Sequence, residues 1–264
     1  MSDTGRIVAV TGASSGIGLA AARLFRDRGD KVYCLSRTDP KEPGITFIHT
    51  DVTDEASVNA AFGAIGKAEG RIDVLLSNAG IGVSGAAECT TMQDAKRQLD
   101  VNFFGLHACV RAAVPLMRAH GGTILATSSV AAVFAIPFQA FYSASKFAVN
   151  ALVLALANEL KPFNIRVAAI MPGDVKTGFT GARIKAEDDD NYGQSIEKSV
   201  AVMEHDEQNG MGPEMIAKRF VALSLKKHPK MLSTVGLQYK FFCFLGKVLP
   251  IRLQNFIVGK MYIK

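Results

Sequence analysis

The sequence predicts an α/β fold: a single doubly wound parallel sheet with helices on both faces, spanning residues 1–264. Three observations lead there. Short, continuous apolar runs alternate with longer segments of helical period, the pattern of repeated βα units. The first run ends in a glycine-rich turn that opens a helix. Apolar residues make up 48% of the chain, enough to fill the interior of a sheet covered on both faces.

The opening strand is 6–11, Arg-Ile-Val-Ala-Val-Thr. A helix follows over 15–28, stopped by Gly29, since glycine takes the left-handed conformation that ends helices. Residues 31–35 and 46–49 read as the second and third strands. The stretch 54–69 reads as a helix whose acidic first turn suits the positive end of the helix dipole. Residues 74–77 form a fourth strand, and 101–120 a long helix closed by Gly121-Gly122. Residues 123–128 and 165–170 are strands flanking an apolar helix over 141–160, buried on much of its surface. Crossovers of this kind are right-handed, and ligands bind beyond the carboxyl ends of the strands.

Two later regions break the pattern. Residues 178–212 are polar, with Glu187-Asp188-Asp189-Asp190 at their centre, and read either as a solvated loop or as a lid over a substrate. Gly212-Pro213-Glu214 opens another helix, and residues 231–264 form an apolar, basic tail.

Composition narrows the function classes. The net charge of +6 mildly favours anionic ligands. No basic stripe with interleaved aromatics and no zinc-finger spacing points to nucleic acid. Cys34, Cys89, Cys109 and Cys243 lie far apart, which argues against a metal site and fits a reducing compartment. No apolar run approaches the roughly 20 residues that cross a bilayer, and no basic region precedes an apolar leader, so the expected location is cytoplasmic.

The turn Thr11-Gly12-Ala13-Ser14-Ser15-Gly16-Ile17-Gly18 joins the first strand to the first helix. Its glycines permit a tight turn and close approach of a diphosphate, towards which the helix directs free N–H groups. The spacing G-x-x-x-G-x-G differs from the common dinucleotide fingerprint. In order along the chain stand Asp51-Val52, Asn78-Ala79-Gly80, Asn102, Ser129, Tyr142-Ser-Ala-Ser-Lys146 and Pro172-Gly173 with Val175 and Thr177. Taken together, these motifs resemble the short-chain dehydrogenase/reductase family, classical type, over residues 5–180.

That resemblance implies a Rossmann-type domain, a nicotinamide dinucleotide and hydride exchange between a ketone and a secondary alcohol. It assigns catalysis to Ser129, Tyr142, Lys146 and Asn102, with Lys146 also holding the nicotinamide ribose and Asn102 keeping a water in a proton relay. It places Asp51 at the adenine and Pro172 to Thr177 beside the nicotinamide. An ordinary tyrosine, with a pKa of about 10, is a poor base near neutrality. Lys146 lies four residues on, on the same helix face, so its charge is expected to lower the Tyr142 pKa. Ser129 is expected to donate to the substrate oxygen.

An acidic residue at the end of the second strand holds the ribose hydroxyls of NAD. Here Ser36 takes that position and Arg37 follows; a guanidinium suits a 2′-phosphate, so the expected cofactor is NADP(H) rather than NAD(H).

The glycine-rich seventh strand with which many bacterial members of the family build a tetramer is not found. The layout instead resembles the hydroxysteroid and retinol dehydrogenase branch and the acyl-dihydroxyacetone-phosphate reductases, whose members act on lipophilic substrates; the family resemblance implies a homodimer or homotetramer. Phe134, Phe138 and Phe179, with Ile136, Pro137 and either Met203 or Met211, are expected to line an apolar pocket. The tail has no acidic residue from Met231 onward but carries Lys240, Lys247, Arg252, Lys260 and Lys264. It covers the pocket, packs in the core or against a subunit, or lies on a membrane surface.

The leading expectation is therefore an NADP(H)-dependent oxidoreductase of a hydroxysteroid, retinoid or acyl-chain ketone. A broad-specificity small-carbonyl or 3-oxoacyl reductase is the alternative enzyme. A non-catalytic, NADP-binding regulatory protein is the alternative from another class; such relatives usually lose the tyrosine or the lysine, and this chain keeps both.

Overall fold

The structure, a computed structural model, describes residues 5–186 and 190–263. The expected Rossmann-type sheet is present. β1 (Ile7–Thr11), α1 (Gly16–Asp27), β2 (Lys31–Ser36), β3 (Ile45–His49), α2 (Glu55–Glu69) and β4 (Val74–Ser77) form the first half. After a short β5 (Val83–Ser84) come α3 (Met92–Leu99), α4 (Gly105–Met117), β6 (Gly122–Thr127), α5 (Ala140–Glu159) and β7 (Ile165–Met171). β8 (Ile184–Lys185), α6 (Ser195–Gln208), α7 (Pro213–Ser224), β9 (Leu232–Thr234), α8 (Leu237–Val248) and α9 (Ile251–Tyr262) complete the chain.

Seven strands pair in parallel in the order β3-β2-β1-β4-β6-β7-β9. The order reverses at β1, which pairs with β2 on one side and β4 on the other, and this opens a crevice at the strands' carboxyl ends. Every residue of β1 and β4 is buried, because helices cover both faces. On one face Phe62, Ile65, Met117 and Val153 pack under α2, α4 and α5; on the other, α1 meets α7 through Ala21, Phe25, Ala217 and Phe220.

Two expectations are corrected. The helix expected over 101–120 starts earlier and is interrupted: α3 begins after Thr91, whose hydroxyl accepts from the Asp94 amide at 3.0 Å. One π-helical turn, Asp100–Phe104, then separates α3 from α4. The seventh strand of the sheet, β9, is a three-residue edge strand and carries no glycine, so it is not the glycine-rich ending of the tetrameric members. The polar stretch 178–212 is not a loop throughout, for β8 pairs with β5 and α6 occupies much of the rest. Of its acidic centre, Glu187, Asp188 and Asp189 lie outside the described residues.

By composition and length, α5 is apolar enough to cross a bilayer, contrary to expectation. It lies instead in the fold, packed on β7 and α3, with Ser145, Lys146 and Asn150 buried.

Candidate active site

A single cleft of about 920 Å³ runs along the carboxyl edge of the sheet. One wall is the glycine turn. Gly12 (φ +63°) and Gly16 (φ +54°) hold conformations that a side chain disfavours. At Gly18 the constraint is space: a Cβ there would lie 2.4 Å from the Gly12 oxygen and 2.6 Å from Asn78 Nδ2. The turn is pinned to β4 by Thr11, whose hydroxyl accepts from the amides of Asn78 (2.9 Å) and Ala79 (3.1 Å). Ser15 makes no side-chain cap and no acidic residue occupies the first turn of α1, so its amides are open to an anion. Gly12, Ser14, Ser15, Gly16 and Ile17 line the cleft, as do Ala79 and Gly80; these residues fit a dinucleotide diphosphate.

Ser36, Arg37, Asp51 and Val52 form the far end of this wall. Ser36 is buried and donates to the Thr38 carbonyl at 2.7 Å, while Arg37 is exposed. Burial opposes ionisation of Asp51, but hydrogen bonds from the Thr53 amide and hydroxyl and the charge of Arg37 prevail, so its pKa is lowered.

Midway along the cleft, Ser129, Tyr142 and Lys146 converge. Ser129 follows β6; its hydroxyl accepts from the Ala131 amide at 3.1 Å and is hydrogen-bonded to Tyr142. Tyr142 and Lys146 come one turn apart from the first half of α5. Lys146 Nζ donates to the Thr127 carbonyl at 2.9 Å and lies 5.7 Å from the centre of the Tyr142 ring. Burial pushes the Lys146 pKa down to about 8. Burial also pushes Tyr142 up to about 12, against its bond to Ser129 and the charge of Arg183, with Glu207 and Asp174 adding to the rise. The expected lowering of the Tyr142 pKa does not prevail in the protein alone: loss of solvent is the largest influence and raises it.

Asn102 sits on the π-helical turn. Its Oδ1 accepts from the Ile81 amide at 2.9 Å, and its Nδ2 donates to the Ile81 carbonyl (3.1 Å) and Ser145 Oγ (3.0 Å). The extra residue of the turn lets one side chain tie the β4 loop to α5. Asn78 is likewise occupied, donating to the Gly12 carbonyl and accepting from Thr127 Oγ1.

The order of these motifs is that of a known family. The family model for short chain dehydrogenases matches residues 6–188. The chain belongs to the short-chain dehydrogenase/reductase family. It is 39% identical over 236 residues to a 3-ketodihydrosphingosine reductase of Bacteroides thetaiotaomicron, covering 88% of each chain. The fold matches a short-chain dehydrogenase from Streptomyces avermitilis with a TM-score of 0.86 at 27% identity, over 98% of both chains. A 3-ketoacyl-(acyl-carrier-protein) reductase from Brucella melitensis, solved with NADH, matches with a TM-score of 0.75 at 26% identity, over 88% of this chain and 97% of that one. This short-chain dehydrogenase is therefore an oxidoreductase acting between ketone and alcohol.

The remaining walls of the dehydrogenase's cleft differ from expectation in part. Phe134, Ile136, Phe179 and Met203 line it, with the Phe179 and Tyr142 rings 5.9 Å apart. Phe138 does not. Its backbone has φ +58°, and its ring packs edge-on against Tyr192, 5.8 Å away, above Ile196 and Val200. Met211 belongs to the core instead. Pro172, Gly173, Val175 and Thr177 line the cleft as expected.

The tail is the wall on which the sequence left most open. Phe242 and Leu245 of α8, Leu249 just after it, and Ile257, Val258 and Met261 of α9 face the cleft, so the tail covers it. Tyr239 fastens the tail to the loop that follows β7. Its hydroxyl donates to Asp174 at 2.7 Å, and a Cβ on Gly173 would lie 2.0 Å from its ring. Sequence reasoning also missed Asp174, Asp206 and Glu207 on the cleft wall. Asp174 adjoins the Pro172-Gly173 signature, but no pattern tied Asp206, Glu207 or Tyr239 to the site.

Proposed function

We propose that this dehydrogenase is an NADPH-dependent reductase of a lipophilic ketone, with an acyl-chain ketone as the preferred class. One observation carries the reading: a single cleft joins the glycine turn, Tyr142 and the apolar inner faces of α8 and α9. The named activity of the Bacteroides relative supports the same class, since ketodihydrosphingosine is a long-chain ketone. Arg37, exposed at the end of β2 with a serine in place of the usual carboxylate before it, supports NADP(H) over NAD(H).

In this mechanism Gly12 to Gly18, Ser36, Arg37, Asp51, Val52 and Asn78 to Gly80 hold the dinucleotide, and Pro172 to Thr177 flank its nicotinamide end. When bound, the reduced nicotinamide supplies hydride to the carbonyl carbon. Ser129 donates a hydrogen bond to the carbonyl oxygen as negative charge develops there. Tyr142, kept protonated near neutrality by its raised pKa, gives that oxygen its proton. Lys146 stabilises the resulting tyrosinate and holds the ribose. Asn102 fixes Ile81 and α5 around them. A phenol protonated at rest suits reduction better than oxidation. Phe134, Phe179 and the tail take the apolar body of the substrate, and α6 of residues 178–212 closes over it as a lid.

The deciding experiment follows NADPH consumption by the purified protein across ketosteroids, retinal, long-chain acyl ketones with and without an amine, and small diketones, with NADH in parallel. The amine is included because Asp174 and Asp206 stand on the cleft wall. Strong turnover of a long-chain ketone with NADPH is the expected result. Turnover of small diketones alone overturns the substrate class, and preference for NADH overturns the role of Arg37.

A further inference from the structure

We propose that the outer face of the α8–α9 hairpin docks on an anionic phospholipid bilayer. The proposal rests on that outer face and not on the substrate reading above. Ten of the seventeen large apolar side chains that the described residues expose lie between Leu237 and Ile263, and all of these but Ile257 and Met261 lie off the cleft wall, so the exposure is concentrated rather than scattered. Along α8, Leu237, Phe241, Phe244 and Val248 recur at spacings of four, three and four, which places them on one face; they are 83%, 57%, 58% and 55% exposed. On α9, Ile251 and Phe256 are exposed to a similar degree.

The charges beside these side chains select the occupant. Lys240, Lys247, Arg252 and Lys260 are all exposed, and no acidic side chain occurs between Met231 and Lys264. Lys240 and Lys247 flank Phe244 on the same face of α8, and Lys260 Nζ lies 5.8 Å from the centre of the Phe256 ring. An apolar stripe edged with cations suits an interface of acyl chains and anionic headgroups. A second copy suits it poorly: in a two-fold contact the patch meets itself, and cation would face cation with no carboxylate to pair it. A membrane span is excluded by length, since Pro250 separates two helices of 12 residues each.

The geometry also links this surface to the cleft. Only Tyr239 and Cys243 of α8 and Gln254 and Val258 of α9 are buried. Gln254 Nε2 bridges the helices by donating to the Gly246 and Leu249 carbonyls at 3.1 and 2.7 Å. The hairpin thus has a cleft-lining face and a lipid-facing face, one helix thick.

Flotation of the full-length protein on vesicles tests the proposal, using phosphatidylcholine alone and phosphatidylcholine containing phosphatidylglycerol. Wild type is expected to float with the anionic vesicles at low salt and to be released by high salt. The double variant Lys240→Glu/Lys247→Glu should partition at least about 25-fold less, at roughly fivefold per lost cation. Phe241→Ser/Phe244→Ser should lose binding while keeping its melting temperature, because neither residue lines the cleft. Wild type that stays unbound to both vesicle types overturns the proposal, as do variants that float like wild type. A dimer in sedimentation velocity that Phe241→Ser/Phe244→Ser splits assigns the face to a second copy and also overturns it. None of these results depends on which ketone is reduced.

Discussion

The two sides of the cleft are built by opposite means. The dinucleotide side is backbone, glycine and fully used polar groups: Thr11 and Asn78 tie the ends of β1, β4 and β6 together, and Gly18 has no room for a methyl group. The tail side is two 12-residue helices with four buried residues between them, held by Tyr239, Cys243, Gln254 and Val258. The first side tolerates little change because its turn is pinned by hydrogen bonds at fixed distances and packed without space at Gly18. The second is apolar and shallow, so its shape can vary without disturbing the chemistry. A family that keeps one reaction while changing substrates needs such a division.

The largest expected effect breaks the chemistry and spares both walls. Tyr142→Phe should lower kcat by about 10²–10⁴-fold, the usual share of a proton donor, with NADPH affinity by fluorescence titration unchanged. Activity within a few-fold of wild type would remove Tyr142 from its proposed role.

The next tests the rigid side. Gly18→Ala forces a methyl group to within 2.4 Å of the Gly12 oxygen. It should weaken NADPH binding sharply and cost about 1–3 kcal/mol of stability by thermal melting. A variant that binds and melts like wild type would show that the turn is looser than its contacts imply.

A truncation tests the adaptable side. Leu245→Ala should raise the KM for a long-chain ketone about 10-fold, while NADPH affinity and turnover of a small diketone stay unchanged. Equal effects on both ketones would mean that the two walls are not separable.

The smallest effect concerns Lys146, which stands where the walls meet. Its pKa is lowered from 10.5 to about 8 in the folded protein, so the folded state binds fewer protons than the unfolded one between those values. The cost of the buried ammonium is therefore complete below pH 8 and fades as pH rises towards 10.5. Lys146→Met should melt higher than wild type at pH 7, less the lost bond to Thr127, and the advantage should shrink across that window. A gain that does not change with pH would rule out burial of the charge as its source.

Much of the fold was legible because β-strands buried on both faces must be continuously apolar, and a diphosphate-binding turn must carry glycines. The end of β1, the strand β4 and the helix α5 were found within a residue on those grounds. The break between α3 and α4 was not, because a π-helical turn has no periodicity of its own; its trace was the capping pair Thr91 and Asp94 upstream. Phe138 was misplaced because spacing cannot foretell a left-handed backbone, which turned the ring away from the cleft. Asp206 and Glu207 belong to a helix that sequence reading left as a loop or lid.

By itself the sequence determined the architecture, the family and the polar residues that converge in the cleft, since those depend on local geometry and on side chains of particular chemistry. Only the tertiary structure decided that burial raises the Tyr142 pKa, that Tyr239 locks the tail onto Asp174, and that the tail covers the cleft with one face and leaves the other bare. Those outcomes depend on distances between segments far apart in the chain, and an apolar residue carries no mark of which neighbour will cover it.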